Sequence, residues 1–180
     1  MFQDPKKPQK ESHEESFGDV VTPDDDGIAV GSGEMLVASQ HAGPCTIIGM
    51  LDRASSQAVL GHFPRPNDND EGCFEKMLEV AASTFKVKGR VEVFLAGCSA
   101  ESDRPLEKGG AGYGRGDAAR SRKATIAKIV DAGYDEKKIS KRWLKTEGAS
   151  QEMMIDLAGK RVIIETSPLT GQEKSKFEVL

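Results

Sequence analysis

The sequence predicts an α+β fold, and three observations carry the prediction. Two stretches, Thr46–Phe63 and Gln151–Thr166, read as apolar strands folded back at a polar turn. Between them Phe74, Met77, Leu78, Ala81, Ala82 and Phe85 recur at helical spacing as a single apolar stripe. A second helical segment follows a further strand, so the expected order is β-β-β-β-α-β-α-β-β-β. Hairpins at both ends with two helices between them place the helices on one side of the sheet structure.

Taken in order, residues 1–26 are rich in Pro, Glu, Lys, Asp and Ser. They carry eight acidic and three basic side chains, a net charge of −5. Such a segment cannot bury enough apolar surface to offset its ordering entropy, and it reads as a disordered acidic tail in which Val20-Val21 is the one place to dock locally. Order is expected from Gly27. Ile28–Val30 and Met35–Ser39 are short strands, and Gln40–Pro44 is a loop whose proline stiffens the approach to Cys45. Thr46–Asp52 is apolar on both faces, which fits a central strand covered on both sides. Arg53–Ser56 turns the chain, Gln57–Phe63 returns it, and Pro64 and Pro66 stop it. With the turn centred between Ala54 and Ser55, His62 falls opposite Ile47 and Cys45 lies within diagonal reach of it.

After the polar loop 67–72 comes the amphipathic helix, then the strand Val91–Gly97. Residues 98–116 are long and irregular. The second helix runs from about Asp117 to Ala132, with Ala119, Ile126, Ile129 and Val130 as its apolar side and Gly133 closing it. The hairpin Gln151–Leu157 and Arg161–Thr166, turning at Ala158-Gly159-Lys160, completes a folded unit over 27–166. Residues 167–180 read as a polar tail with a last short strand at Phe177–Val179.

Composition bounds the function. The chain has 180 residues, 37% hydrophobic and 30% charged, with a net charge of −4. Since the tail holds −5, residues 27–180 stand near +1, so the acidity says little about the partner of the folded part. No apolar run reaches the length of a membrane span. The first residues show no secretory pattern, and three scattered cysteines argue against a disulfide framework. The expected location is the cytoplasm.

The candidate chemistry centres on Cys45 and His62, which the first hairpin brings to one end of two paired strands. A thiol beside an imidazole is the minimal nucleophile and base of a cysteine hydrolase. The bland reading is an inert packed cysteine and a hydrogen-bonded histidine. Cys45 follows a Gly-Pro turn, which puts it at a rim where backbone amides can face an oxyanion. His41 is the weaker base candidate because it lies in the expected loop. A zinc site from Cys45, His62, Cys73 and Cys98 lacks the spacing of structural zinc sites, and Cys73 and Cys98 read as packing. Gly109–Gly116 lacks the Gly-Lys-Ser/Thr ending of a phosphate loop and reads as a loop bordering a site. The basic run Lys137, Lys138, Lys141, Arg142 and Lys145 around Trp143 reads as a solvated face rather than a nucleic-acid surface.

These residues resemble a known family. Leu36-Val37-Ala38-Ser39-Gln40-His41-Ala42-Gly43-Pro44-Cys45, then an apolar strand ending at Asp52, then Gly61-His62-Phe63, is similar to the CheD chemoreceptor glutamine deamidases. The 17-residue step from Cys45 to His62 is the family's spacing, and Ser39 falls where the family has a threonine. Gly31-Ser32-Gly33-Glu34, Leu95–Ser99, Ala119-Arg120-Ser121 and the Gly159 hairpin resemble later family features in the same order, over residues 27–166. Pro44 stands where the family has Ser or Gly, and the 98–116 loop is longer than the family's. The resemblance implies a layered α/β/β sandwich, shared with cytotoxic necrotizing factor toxins. It implies a protein-glutamine deamidase with Cys45 as nucleophile, His62 as base and Ser39 orienting the imidazole. No metal or organic cofactor is implied. The implied partners are a glutamine-bearing protein such as a chemoreceptor cytoplasmic helix, and a CheC-like chemotaxis protein. A catalytically inactive binding module and a toxin-like effector acting on a host protein are the alternatives.

Overall fold

In the computed structural model, residues 20–23, 27–43, 45–63, 72–99, 117–145, 148–168 and 174–180 are described. Most of the acidic tail, Pro44 and the Gly109–Gly116 stretch lie outside them.

The architecture follows from the strand that is apolar on both faces. β4, Thr46–Asp52, is buried at all seven positions. β5, Gln57–Phe63, returns beside it with Ile47 opposite His62, the register expected from the turn. Asp52 accepts the Ala54 amide hydrogen at 3.0 Å and so shapes that turn. On its other side β4 pairs antiparallel with β6, Glu92–Gly97. With β2, Ile28–Ser32, beyond β5 and β7, Ile139–Trp143, beyond β6, the first sheet runs β2-β5-β4-β6-β7. The second sheet runs β1-β3-β8-β9-β10, from Val20–Val21, Leu36–Ala42, Ala149–Asp156, Arg161–Pro168 and Lys176–Val179. β1 lies parallel to β3 and β7 parallel to β6; the other pairings are antiparallel.

Strand alternation then separates two cores. Ile48, Met50, Val59 and Phe63 pack with Phe74, Met77 and Ala81 of α1, Cys73–Thr84, and with Ile129 of α2, Asp117–Asp131. Ile47, Leu51, Ala58, Leu60 and Phe94 point the other way, against Val37, Met153, Ile155, Val162 and Ile164 of the second sheet. The result is a helix layer, a central sheet and an outer sheet, an α+β fold in three layers. Among the described residues no helix is long and apolar enough to cross a membrane.

Val20-Val21, the place in the tail expected to dock locally, is a strand on Leu36-Val37. Three local expectations change. β3 continues to Ala42, so His41 lies in a strand and not in a loop. The basic run contains β7, whose Ile139 is buried while Lys141 and Arg142 are paired with Glu136 and Glu178. α2 buries Ala118, Ser121, Thr125 and Ile129, and leaves Ala119 and Val130 exposed. Thr125 can line this face because its hydroxyl hydrogen goes to the Ser121 carbonyl at 2.8 Å, while the buried Ser121 hydroxyl has no partner among the described residues.

The two sheets approach closely where β4 carries a glycine. A Cβ added at Gly49 would lie 2.5 Å from Met153 Sδ and 3.2 Å from Ile155 Cδ1. Gly49→Ala should therefore lower the unfolding free energy by about 1–3 kcal/mol through overpacking, measured by denaturant titration. An unchanged midpoint would mean that the sheets are not in contact there.

Candidate active site

The site is built where the two sheets meet at the open end of the β4–β5 hairpin. Alternation along β5 sets His62 on the same face as Ala58 and Leu60, toward the outer sheet. Alternation along β3 sets Ser39 on the same face as Val37, toward the central sheet. Ser39 Oγ lies 2.9 Å from His62 Nδ1, a hydrogen bond that spans the gap between the sheets. Ser39 is 2% exposed, so water does not compete for it.

A bulge places Ser39. β3 pairs with β8 as Ser39 opposite Met153 and then Ala42 opposite Gln151, so three steps on β3 match two on β8. The extra residue bends the strand directly beyond Ser39, the usual means of re-aiming a side chain at a sheet edge.

Cys45 precedes β4 on the side of Ile47 and is half-buried against the inter-sheet core. Continued one residue beyond Thr46, the β4–β5 register would set Cys45 diagonal to His62, a spacing of about 7–8 Å between backbones. The segment that carries Cys45 is tied to the end of β6. The Cys98 amide donates to the Cys45 carbonyl at 2.6 Å, and the Ser99 amide to the Gly43 carbonyl at 3.0 Å. This approach needs glycine at position 97, where φ is +73° and a Cβ would collide with the Cys45 carbonyl oxygen. Cys98 follows with φ 50°, a left-handed conformation that costs energy in a non-glycine residue.

Two side chains hold that turn. From the helix layer, the Arg122 guanidinium donates to the Cys98 carbonyl at 3.1 Å and 2.6 Å and to the Leu144 carbonyl at 2.9 Å, with its carbon 5.6 Å from the centre of the Trp143 ring. From the outer sheet, Gln151 Oε1 accepts the Gly97 amide hydrogen at 2.7 Å. From sequence neither is expected as a site residue, and Gln151 is only the start of the final hairpin. Gln151 had a signal, since β8 alternation puts this polar side chain on the inward face of Met153 and Ile155.

The structure joins Ser39 to His62 and packs Cys45 against the same inter-sheet core, while the thiols of Cys73 and Cys98 turn elsewhere. Cys73 opens α1 and packs on the helix-side core, and the Cys98 thiol turns to the Ala118 carbonyl at 3.8 Å. Among the described residues no three His, Cys, Asp or Glu side chains gather as a metal site.

Burial pushes the His62 pKa below its ordinary 6.5, because a charged imidazole loses hydration between the sheets. The folded state therefore binds the His62 proton less tightly than the unfolded chain. Its contribution to stability is fully present above the unfolded value and is lost as pH falls through the folded value. An NMR titration of the His62 ring should give a midpoint below that of a free histidine, and His62→Gln should flatten this acid limb of the stability profile. A midpoint at or above 6.5 would contradict the buried, neutral ring.

No protein-family model matches the chain, and no curated protein matches it. Among solved structures it is similar to a hypothetical protein, YfiH, of Bacillus licheniformis, with 10% identity and a TM-score of 0.46 over 64% of this chain and 49% of that one. The chain thus spans about half the length of that protein.

Proposed function

We propose that the chain is a cysteine-dependent protein-glutamine deamidase of the CheD-like kind. The observation that supports this reading is the Ser39–His62 hydrogen bond across the sheets, with Cys45 packed against the same inter-sheet core. A nucleophile, a base and a group that orients the base are the parts that this chemistry needs. When Nδ1–H donates to Ser39, the imidazole keeps its lone pair on Nε2 and can take a proton from a thiol. The low pKa of the buried ring keeps it neutral near neutral pH, as a general base must be.

The reaction then runs in two halves. Cys45 Sγ gives its proton to His62 and attacks the carboxamide carbon of a substrate glutamine. The oxygen of the tetrahedral adduct faces the amides of Gly43 and Cys45, Pro44 having none to donate. Collapse breaks the C–N bond, His62 returns the proton, and ammonia leaves an acyl thioester on Cys45. Water, deprotonated by His62, attacks the thioester carbon; the C–S bond breaks, glutamate is released and the thiol re-forms. No metal or organic cofactor takes part in these steps.

The substrate on this reading is a glutamine-bearing protein, with a chemoreceptor cytoplasmic helix as the first candidate, a CheC-like chemotaxis protein as a further partner and the cytoplasm as the place of action. Incubation with receptor helical segments should raise the mass by about 1 Da per glutamine converted, and Cys45→Ala should abolish the gain. His62→Ala should slow it by about 10²–10⁴-fold. Absence of any mass change or ammonia release with glutamine-bearing proteins would favour a binding module instead, and conversion of host proteins but not receptor segments would favour an effector.

A further inference from the structure

We infer that Gln151 is a positioning residue for Cys45, an inference that rests on the deamidase reading of the site. Gln151 occupies an inward position of β8 and is 6% exposed, among Met153, Ile155 and Ala42. A primary amide in such a place is costly unless its polar atoms are bonded. Both ends are bonded: Oε1 accepts from the Gly97 amide at 2.7 Å, and Nε2 donates to Thr166 Oγ1 at 3.2 Å.

The two bonds differ in consequence. The Thr166 bond stays within the outer sheet, where Gln151 and Thr166 are register partners on β8 and β9. The Gly97 bond crosses to the central sheet, at the residue opposite Thr46 and directly before Cys98. Cys98 holds the Cys45 carbonyl at 2.6 Å. A connected path therefore runs from Gln151 through Gly97 and Cys98 to the nucleophile. The same strand, β8, pairs through Met153 with Ser39, which holds His62. One strand of the outer sheet thus sets both partners: Ser39 and the ring on one side, Gly97 and the thiol on the other. Gln151 is the side chain that couples the thiol's support to the base's support.

A misplacement of about 1 Å between reacting groups can cost about 10²-fold in rate. The test reads the pH profile of iodoacetamide alkylation at each cysteine by peptide mass spectrometry, on the full chain. In the wild type, Cys45 should react faster than Cys73 at neutral pH, with a rate that falls as pH drops through the His62 midpoint and the base is lost, where a free thiol follows only its own ionisation near about 8.5. Gln151→Met, apolar and similar in volume, should slow Cys45 about tenfold or more and return its profile toward the free thiol, with Cys73 unchanged. Thr166→Val removes the other bond of the same amide and should leave the Cys45 profile in place. If Gln151→Met does not fold, Gln151→Asn keeps the amide one methylene short of Gly97 and should give the same return toward the free thiol.

Fast wild-type Cys45 with an unchanged profile in a folded Gln151 variant would overturn the positioning role alone. An equal displacement in Thr166→Val would also overturn it, since the effect would then belong to the buried amide as packing. Wild-type Cys45 that reacts no faster than Cys73 would remove the deamidase reading, and this inference with it.

Discussion

The burial of β4 on both faces is the constraint on which the rest of the molecule depends. One buried aliphatic side chain contributes about 1.5–3 kcal/mol. Ile48 and Met50 bring in the helix layer, and Ile47 and Leu51 bring in the outer sheet. The strand ends abruptly at Thr46, and Cys45 is the first residue outside it. A reactive group at this point has a rigid base on one side and the inter-sheet edge on the other. A single neutral hydrogen bond contributes only about 0.5–1.5 kcal/mol. The Ser39–His62 bond therefore does not draw the sheets together; packing does that, and the bond uses the resulting closeness to orient one ring.

Two irregular stretches of backbone lie near Cys45, the β3 bulge beyond Ser39 and the left-handed Gly97-Cys98 pair, whose glycine the Cys45 carbonyl demands. Strain of this kind persists where surrounding contacts over-determine it. Arg122 and Gln151 supply those contacts from opposite layers, one to the Cys98 carbonyl and one to the Gly97 amide. The far end of the hairpin is held in another way. There Arg53 pairs with Glu92 and reaches the Lys160 carbonyl, which joins the two hairpin turns.

Where alternation and turn chemistry agreed, the sequence was easy to read. Thr46–Asp52 and Gln57–Phe63 have the expected bounds and register because each is a nearly continuous apolar run joined by one polar turn. The final hairpin was legible for the same reason. β7 was not, because Ile139-Ser140-Lys141-Arg142-Trp143 has the charge of a solvated surface; it is a strand because it pairs parallel to β6 at the sheet edge, where charged side chains can stay in water. The inward face of α2 was misread because Ser121 and Thr125 are buried ahead of Val130, a preference set by the neighbouring sheet and not by the helix. Of the site, the place of Ser39 beside His62 was legible from spacing and resemblance. The bulge beyond Ser39 and the Gln151–Gly97 bond were not, since each joins segments far apart in the chain that no local pattern links.

On the proposed reading Cys45 and His62 share one face of the hairpin and act on one another. The Cys45 Sγ to His62 ring distance in a crystal structure of the full chain tests this. The expected structure has the thiol on the face of Ile47, within hydrogen-bond reach of Nε2 directly or through one water, with Nδ1 held by Ser39. A thiol turned to the helix layer, with the ring on the opposite face, would contradict it.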